Sequence, residues 1–368
     1  MRQTFAFVNL SNIAQNYLNI KNSLRPNVRV MPVVKADAYG HGMIQVAGKL
    51  TSLNPKPEYF GVALYEEGAA LRKSGITEKI LVFEPLSEFS LQEIIENDLI
   101  PTITNKYHLE LLNQIAGGRK IAVHIKLDSG MGRVGAYENE FIQIAREISE
   151  NSKMFIDGIY THFATSDEED QSFAILQLEK FNFVIGELEK AGINCGVKHA
   201  ANSGAIINLP ESSFDMVRPG ISLYGYTPAF GMKNDLALLP AMSLVSIVED
   251  VRYFPANRTV SYGRLYKTKE ETKIITVPIG YADGLYRGLT HKLKALIGGK
   301  TYPQVGRITM DRIMFDIGND DIKRGEKVIL IGESGKTSIT CWDLAREIDT
   351  IPYEITCNIS KRVPRIYV

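Results

Sequence analysis

The sequence predicts an α/β fold: a (β/α)8, TIM-like barrel over residues 1–236, then a mostly β C-terminal domain over residues 237–368. Three observations carry this expectation. Short apolar runs alternate with helical periods up to about residue 235, giving eight strand–helix units in succession. After Pro240 the alternation stops, and β-rich runs separated by turn residues take over. The polar outliers among the early runs (Lys35, Lys126, Asp128, His162, Asn202, Ser203 and Arg218) fall at strand ends, where a barrel collects its active-site loops. A doubly wound open sheet is the competing arrangement, and the strand count favours the barrel.

The opening stretch near Thr4–Val8 is a strand candidate that can pack with the C-terminal domain. Barrel strands are expected at Val28–Lys35, Tyr59–Ala63, Lys79–Phe83, Ile100–Thr104, Lys120–Asp128, Met154–Thr161, Val197–Ala200 and Phe214–Val217. Most gaps hold an amphipathic pattern, as in LSEFSLQEIIEN at 86–97 and SFAILQLEKFNFVIGELEKAG at 172–192. In the second domain AMSLVSIVEDV, KIITVPIG, RIMFDIG and EKVILIG read as strands and IGGK at 297–300 as a turn. Only CWDLAREI at 341–348 looks helical there.

Composition excludes several classes. Lysine plus arginine total 42 and aspartate plus glutamate 42, so no nucleic-acid or anionic-membrane surface is expected. No apolar run approaches the ~18 residues of a membrane span. The N-terminal MRQTFAFVNLSNIAQN lacks the long apolar core and small-residue cleavage site of a signal peptide. Cys195, Cys341 and Cys357 show no CxxC spacing, and no histidine pair has HExxH spacing, so neither a metal nor a disulfide framework is expected. The reading is a soluble cytoplasmic protein with reduced thiols.

The chemistry centres on VVKADAYGHG at 33–42. An apolar run ends on Lys35, a two-glycine turn follows, and a helical pattern begins near Met43. An amine carried on a buried strand end is partly desolvated. Desolvation disfavours the ammonium, and a neutral amine attacks carbonyls, so Lys35 is a candidate Schiff-base lysine.

VVKADAYGHG resembles the pyridoxal-phosphate lysine signature of the alanine racemases, and the resemblance continues in order along nearly the whole chain. It implies that Lys35 holds pyridoxal 5'-phosphate and serves as one of two proton-transfer bases. VRPGISLYG at 217–225 is similar to the segment whose arginine faces the cofactor's ring nitrogen, which nominates Arg218. An arginine keeps its proton, so the ring stays a weaker electron sink. That suits removal and return of one Cα proton; decarboxylases of the same fold carry an acidic residue there, as the resemblance implies. HAANSGA at 199–205 resembles the phosphate segment and nominates Asn202 and Ser203. Backbone N–H groups of Gly220 and Ile221 and the hydroxyls of Tyr39 and Tyr353 would complete the phosphate site.

KLDSGMGRVG at 126–135 resembles the segment that places an arginine, here Arg133, at the cofactor's phenolic oxygen and near substrate. The family sets a carbamylated lysine beside it, which maps to Lys126; Asp128 is the alternative partner. His162, in YTHFA, maps to the histidine packed on the ring face. TVSYGRLY at 259–266 nominates Tyr262 as the second base, on the opposite face of the planar carbanion. GRITMDR at 306–312 implies Met310 and Asp311 at the substrate carboxylate, and GYADG at 280–284 implies Tyr281 at the entrance. These β-domain residues reach the partner subunit's barrel in the family, so a head-to-tail homodimer with two shared sites is implied. The implied reaction interconverts L-alanine and D-alanine for bacterial peptidoglycan. A broader racemase accepting serine or lysine is the runner-up, and a non-catalytic carrier barrel is the third reading. The β domain with Tyr262 argues against the carrier.

Three positions depart from the family pattern: Thr309 for a common cysteine, Arg312 for a common glutamine, and Asn9 for a usual acidic residue. The first two touch fine specificity more than reaction type. GESGKT at 332–337 resembles a phosphate loop but lacks the first glycine of GxxxxGK[ST], which is Leu330, and reads as a turn.

Overall fold

The computed structural model describes residues 3–117, 120–233 and 235–368. They form two compact units. One comprises Ile13–Ala38 and Met43–Leu239; the other joins Pro240–Val368 to Tyr39–Gly42 and to the N-terminal stretch ending at Asn12. The first strand, β1 (Phe5–Val8), therefore lies in the second unit.

The first unit is built on eight parallel strands among the described residues. They are β2 (Arg29–Val30), β3 (Tyr59–Val62), β4 (Lys79–Pro85), β5 (Ile100–Ile103), β6 (Ile121–Lys126), β7 (Met154–Tyr160), β8 (Val197–His199) and β9 (Met216–Val217). β3 to β8 form one parallel sheet in chain order, and β2 pairs with β9, Arg29 opposite Met216. Main-chain bonds close the ring. Gly61 N donates to Pro32 O at 2.9 Å beside β3, and Asp215 N donates to Lys198 O at 3.0 Å between β8 and β9. β3 and β5 are buried at every position, as strands covered on both faces must be. Helix Glu138–Ser149 turns Phe141, Ile144, Ala145 and Ile148 inward, the three-to-four spacing of an amphipathic helix. Met31, Tyr59, Leu81, Ile100, Tyr160 and Met216 pack together in the core.

The expected strand Val28–Lys35 is shorter in the structure. Val33 still bridges to Gly61, but the chain then coils into a left-handed turn with φ of 52°, 53°, 53° and 53° at Ala36, Asp37, Ala38 and Tyr39. Left-handed helix costs about 1–2 kcal/mol per residue. Side chains hold this one in place: Glu67 Oε1 accepts from Ala36 N at 2.6 Å, and Asp37 Oδ1 accepts from Met43 N at 2.8 Å, where helix Met43–Thr51 begins.

The second unit is a mainly antiparallel sheet of ten described strands. β1 lies inside it, antiparallel to Met242–Ile247 and parallel to Arg365–Tyr367. IGGK forms the turn between Lys294–Ile297 and Lys300–Val305, with φ of 56° and 84° at Gly298 and Gly299, the positive pair a two-residue hairpin needs. GESGKT is likewise a hairpin turn, between Lys327–Ser334 and Thr337–Ile339. One helix was not expected, Pro352–Asn358. Its seven residues are too few for a periodic signal; proline starts it and it buries Ile355 and Thr356. A Cβ on Gly40 would lie 2.3 Å from Thr356 O, and Arg365 Nε donates to Gly40 O at 3.0 Å, which ties residues 39–42 to this unit. Among the described residues no helix is long and apolar enough to cross a membrane.

Candidate active site

In the barrel unit, the strand ends gather cations and neutral donors. Lys35 is half-buried just beyond the Val33–Gly61 bridge. Lys126 ends β6 with its side chain buried and Nζ 5.6 Å from the centre of the Tyr160 ring. Burial lowers its pKa to about 8, and the charges of Arg133, Arg218 and Lys35 act in the same direction against Asp128. Asp128 Oδ1 accepts from Gly130 N and Gly132 N, both at 3.0 Å, so this carboxylate shapes the loop that carries Arg133. Gly135 closes that loop: a Cβ there would lie 2.5 Å from Asp128 N. Arg133 itself is exposed.

Arg218 follows β9 and is buried. Its Nη1 donates to His199 Nδ1 at 2.8 Å, and its Nη2 donates to Thr161 O at 2.7 Å and Ala200 O at 2.9 Å. Burial lowers its pKa to about 10, which leaves it cationic at neutral pH. His162 sits with Nδ1 3.4 Å from Arg218 Nη2. Burial first, then the charges of Arg218, Lys126, Arg133 and Lys35, hold this imidazole well below its usual range and so neutral. Ser203 Oγ accepts from Gly220 N at 2.9 Å and Ser222 N at 3.3 Å, so the serine and the Gly220–Ile221 turn meet. Asn202 caps helix Ser203–Asn208, its Oδ1 accepting from Ala205 N at 3.0 Å and from Ser166 Oγ at 2.8 Å. Its side chain is thereby committed to the loop.

In the β-rich unit, Tyr39 and Tyr353 pack with ring centres 5.7 Å apart, and burial keeps the Tyr39 phenol protonated by raising its pKa. Tyr281 N donates to Thr309 O at 3.0 Å and Ala282 N to Met310 O at 3.1 Å, which brings Tyr281 beside the Met310–Asp311 pair. Gly280 permits this approach, since a Cβ would lie 2.2 Å from Thr309 O. Asp311 Oδ1 accepts from Arg362 Nη2 at 2.8 Å. Tyr262 stands on a tight turn and is 74% exposed; with Thr309 and Arg312 it lines a cavity of about 510 Å³. Arg312 is held by Glu249 through bonds of 2.6 and 3.2 Å.

Sequence reasoning missed His199, the imidazole that receives Arg218. The available signal was two histidines and an aspartate, His124, His199 and Asp157, inside strands expected to be buried, in AVHIK, FIDGIY and VKH.

Lys126 yields a prediction. Its pKa is about 8 in the folded chain against 10.5 for the free group, so between those values the folded state binds fewer protons. Stability of the unmodified protein therefore rises with pH across that window, by roughly 3 kcal/mol. Urea midpoints of carbon-dioxide-free protein should increase from about pH 7.5 to about pH 10, and added bicarbonate should flatten the trend by converting the amine to a carbamate. A flat profile without bicarbonate would contradict the assignment.

A parallel barrel that brings an amine, a buried guanidinium and a serine–glycine turn together at its strand ends defines a barrel enzyme for a small ligand with an anionic group. Comparison with known proteins makes this specific. Residues 8–228 match the family described as alanine racemase, N-terminal domain, and residues 241–367 match alanine racemase, C-terminal domain. The chain is 42% identical to alanine racemase 2 of Caldanaerobacter subterraneus subsp. tengcongensis, covering 100% of this chain and 95% of that protein. Among solved structures, alanine racemase of Clostridium difficile 630 is 40% identical with a TM-score of 0.94, covering 100% of this chain and 96% of that one. The E. faecalis alanine racemase structure is 32% identical with a TM-score of 0.95, covering 100% and 98%. The chain belongs to the alanine racemase family, a family of isomerases.

Proposed function

We propose that the protein interconverts L-alanine and D-alanine with pyridoxal 5'-phosphate as cofactor, supplying D-alanine for peptidoglycan in the cytoplasm. The observation that carries this reading is the meeting of Arg218, His162 and the Ser203–Gly220 turn at the strand ends of a chain 42% identical to an alanine racemase. These residues fit the group. Ser203 Oγ accepts from Gly220 N and Ser222 N, so its own O–H proton is directed away from them. With the Ile221 N–H, and with Gly220 N once it turns from the serine, it would offer the neutral donors a phosphate monoester takes, and Arg218 keeps N–H groups beyond those given to His199, Thr161 and Ala200. Asn202 orders the loop, and the family resemblance adds the phenols of Tyr39 and Tyr353 as further donors. The barrel unit would carry the cofactor on Lys35, and the β-rich unit, which holds Tyr262, would supply the second acid–base group.

When bound, the cofactor supplies an electron sink that acidifies the substrate Cα–H bond. Lys35 anchors it covalently and then takes or returns a proton at Cα from one face; Tyr262 of a second copy does so from the other. Arg218 would donate to the cofactor's ring nitrogen without giving up its proton. Arg133, which a carbamylated Lys126 would orient, would bind the cofactor's phenolic oxygen and the substrate carboxylate, which Met310 and Asp311 would also position. His162 would pack on the cofactor ring and Tyr281 would line the entrance. Tyr262, Tyr281 and Met310 are all exposed within one chain, as groups offered to a partner in a head-to-tail homodimer are.

Borohydride reduction and peptide mapping should place the cofactor on Lys35, and label on another lysine overturns the assignment. Optical activity of L-alanine, L-serine and L-lysine incubated with the protein should decay fastest for alanine. No decay with any of them would leave a carrier.

A further inference from the structure

Arg218 is one end of a polar chain through the barrel interior. Its Nη1 is 2.8 Å from His199 Nδ1; His199 Nε2 is 2.9 Å from His124 Nδ1; His124 Nε2 is 3.3 Å from Asp157 Oδ2. Tyr59 donates to Asp157 Oδ2 at 2.9 Å and Lys79 to Oδ1 at 2.5 Å. Tyr59 and Lys79 begin β3 and β4, whereas Arg218 follows β9. The chain thus runs from the strand starts to the strand ends, opposite faces of a barrel. Both histidines are fully buried and Asp157 nearly so.

The proton positions follow from chemistry. Arginine only donates and an ionised carboxylate only accepts. Burial lowers the pKa of both imidazoles and keeps them neutral. Burial pushes the Asp157 carboxyl up, but His124, Lys79 and Tyr59 more than offset this and hold it ionised. Each neutral imidazole then has one permitted tautomer. His199 accepts at Nδ1 and donates from Nε2–H; His124 does the same toward Asp157. Reversing either ring would set donor against donor and acceptor against acceptor, at about 1–3 kcal/mol for each buried group left unpaired. The main chain makes room for this arrangement: a Cβ on Gly158 would lie 2.5 Å from His124 Cε1. Tyr160 stacks on His199 with ring centres 4.8 Å apart and planes 7° from parallel. Barrel interiors are ordinarily filled by branched apolar side chains, and a buried ionic array seldom adds stability over such a core.

We propose that His199, His124 and Asp157 are positioning residues for Arg218: a one-way hydrogen-bond chain across the barrel that fixes which guanidinium N–H groups face the site. The catalytic consequence rests on reading Arg218 as the ring-nitrogen partner; the chain's geometry does not.

The test is nitrogen NMR of holoenzyme labelled with ¹⁵N-histidine, with signals assigned by single-histidine substitutions. His124 and His199 should both be neutral Nε2–H tautomers. Asp157→Leu should convert them to tautomer mixtures, whereas Ile125→Val, fully buried in the same strand as His124, should leave them unchanged. Asp157→Leu should also shift the cofactor's visible absorbance and lower kcat roughly ten- to a hundredfold with little change in KM, as loss of an orienting partner does at metal sites. An Nδ1–H tautomer or an imidazolium at either position in the wild-type protein overturns the proposal, and this reading stands even where the leucine variant fails to fold. So does an Asp157→Leu protein with unchanged His199 signals. Correct tautomers without cofactor on Lys35 would sink the functional reading and leave the chain intact; cofactor on Lys35 with the wrong tautomers would do the reverse.

Discussion

Lys35→Ala should lower racemisation of alanine by more than about 10³-fold, since it removes both the covalent anchor and one of the two groups that move the Cα proton. The amine cannot be replaced from nearby. Lys126 is buried at the end of β6, and the Arg218 guanidinium is bonded to His199, Thr161 and Ala200. The variant should still fold, because Lys35 is half-buried at a strand end rather than part of the apolar core. Polarimetry gives the rate, and the visible absorbance of the lysine-bound cofactor should vanish. A rate within tenfold of wild type would remove Lys35 from the mechanism.

Tyr262→Phe should cost about 10²–10⁴-fold, the usual worth of a positioned acid–base group. The side chain is 74% exposed in the chain, so losing its hydroxyl should leave the fold unchanged. Because L- and D-alanine are equal in free energy, kcat/KM must fall equally in both directions. The asymmetry should appear in isotope exchange instead. In heavy water the enantiomer served by Lys35 should still exchange its Cα hydrogen, and the one served by Tyr262 should not. Equal exchange of both enantiomers, followed by proton NMR, would eliminate the two-base scheme.

The strands were legible because strand and helix periods are local. Tyr59–Val62, Lys79–Pro85, Ile100–Ile103 and Ile121–Lys126 lie close to the expected runs, and the β-rich change after Pro240 is equally plain. Helix Pro352–Asn358 was not legible, because seven residues span too few turns for a repeat to show. The left-handed turn after Lys35 was hidden for another reason. Alanine and tyrosine do not favour positive φ, and bonds from Glu67 and Asp37 hold the ends of the turn. What Asp128 and Asn202 hold locally was also not legible: Asp128 Oδ1 accepts from Gly130 N and Gly132 N, and Asn202 Oδ1 from Ala205 N and Ser166 Oγ, bonds that depend on the path of the loops.

By itself the sequence determined the order of the eight barrel strands, the β-rich domain that follows, and which amine, guanidinium and hydroxyl groups stand at strand ends. Apolar periodicity and short motifs encode these along a few consecutive residues. Only the tertiary structure decided that Arg218 answers to His199, His124 and Asp157. Those bonds join residues 19, 75 and 33 positions apart, and strand register alone sets such partners face to face.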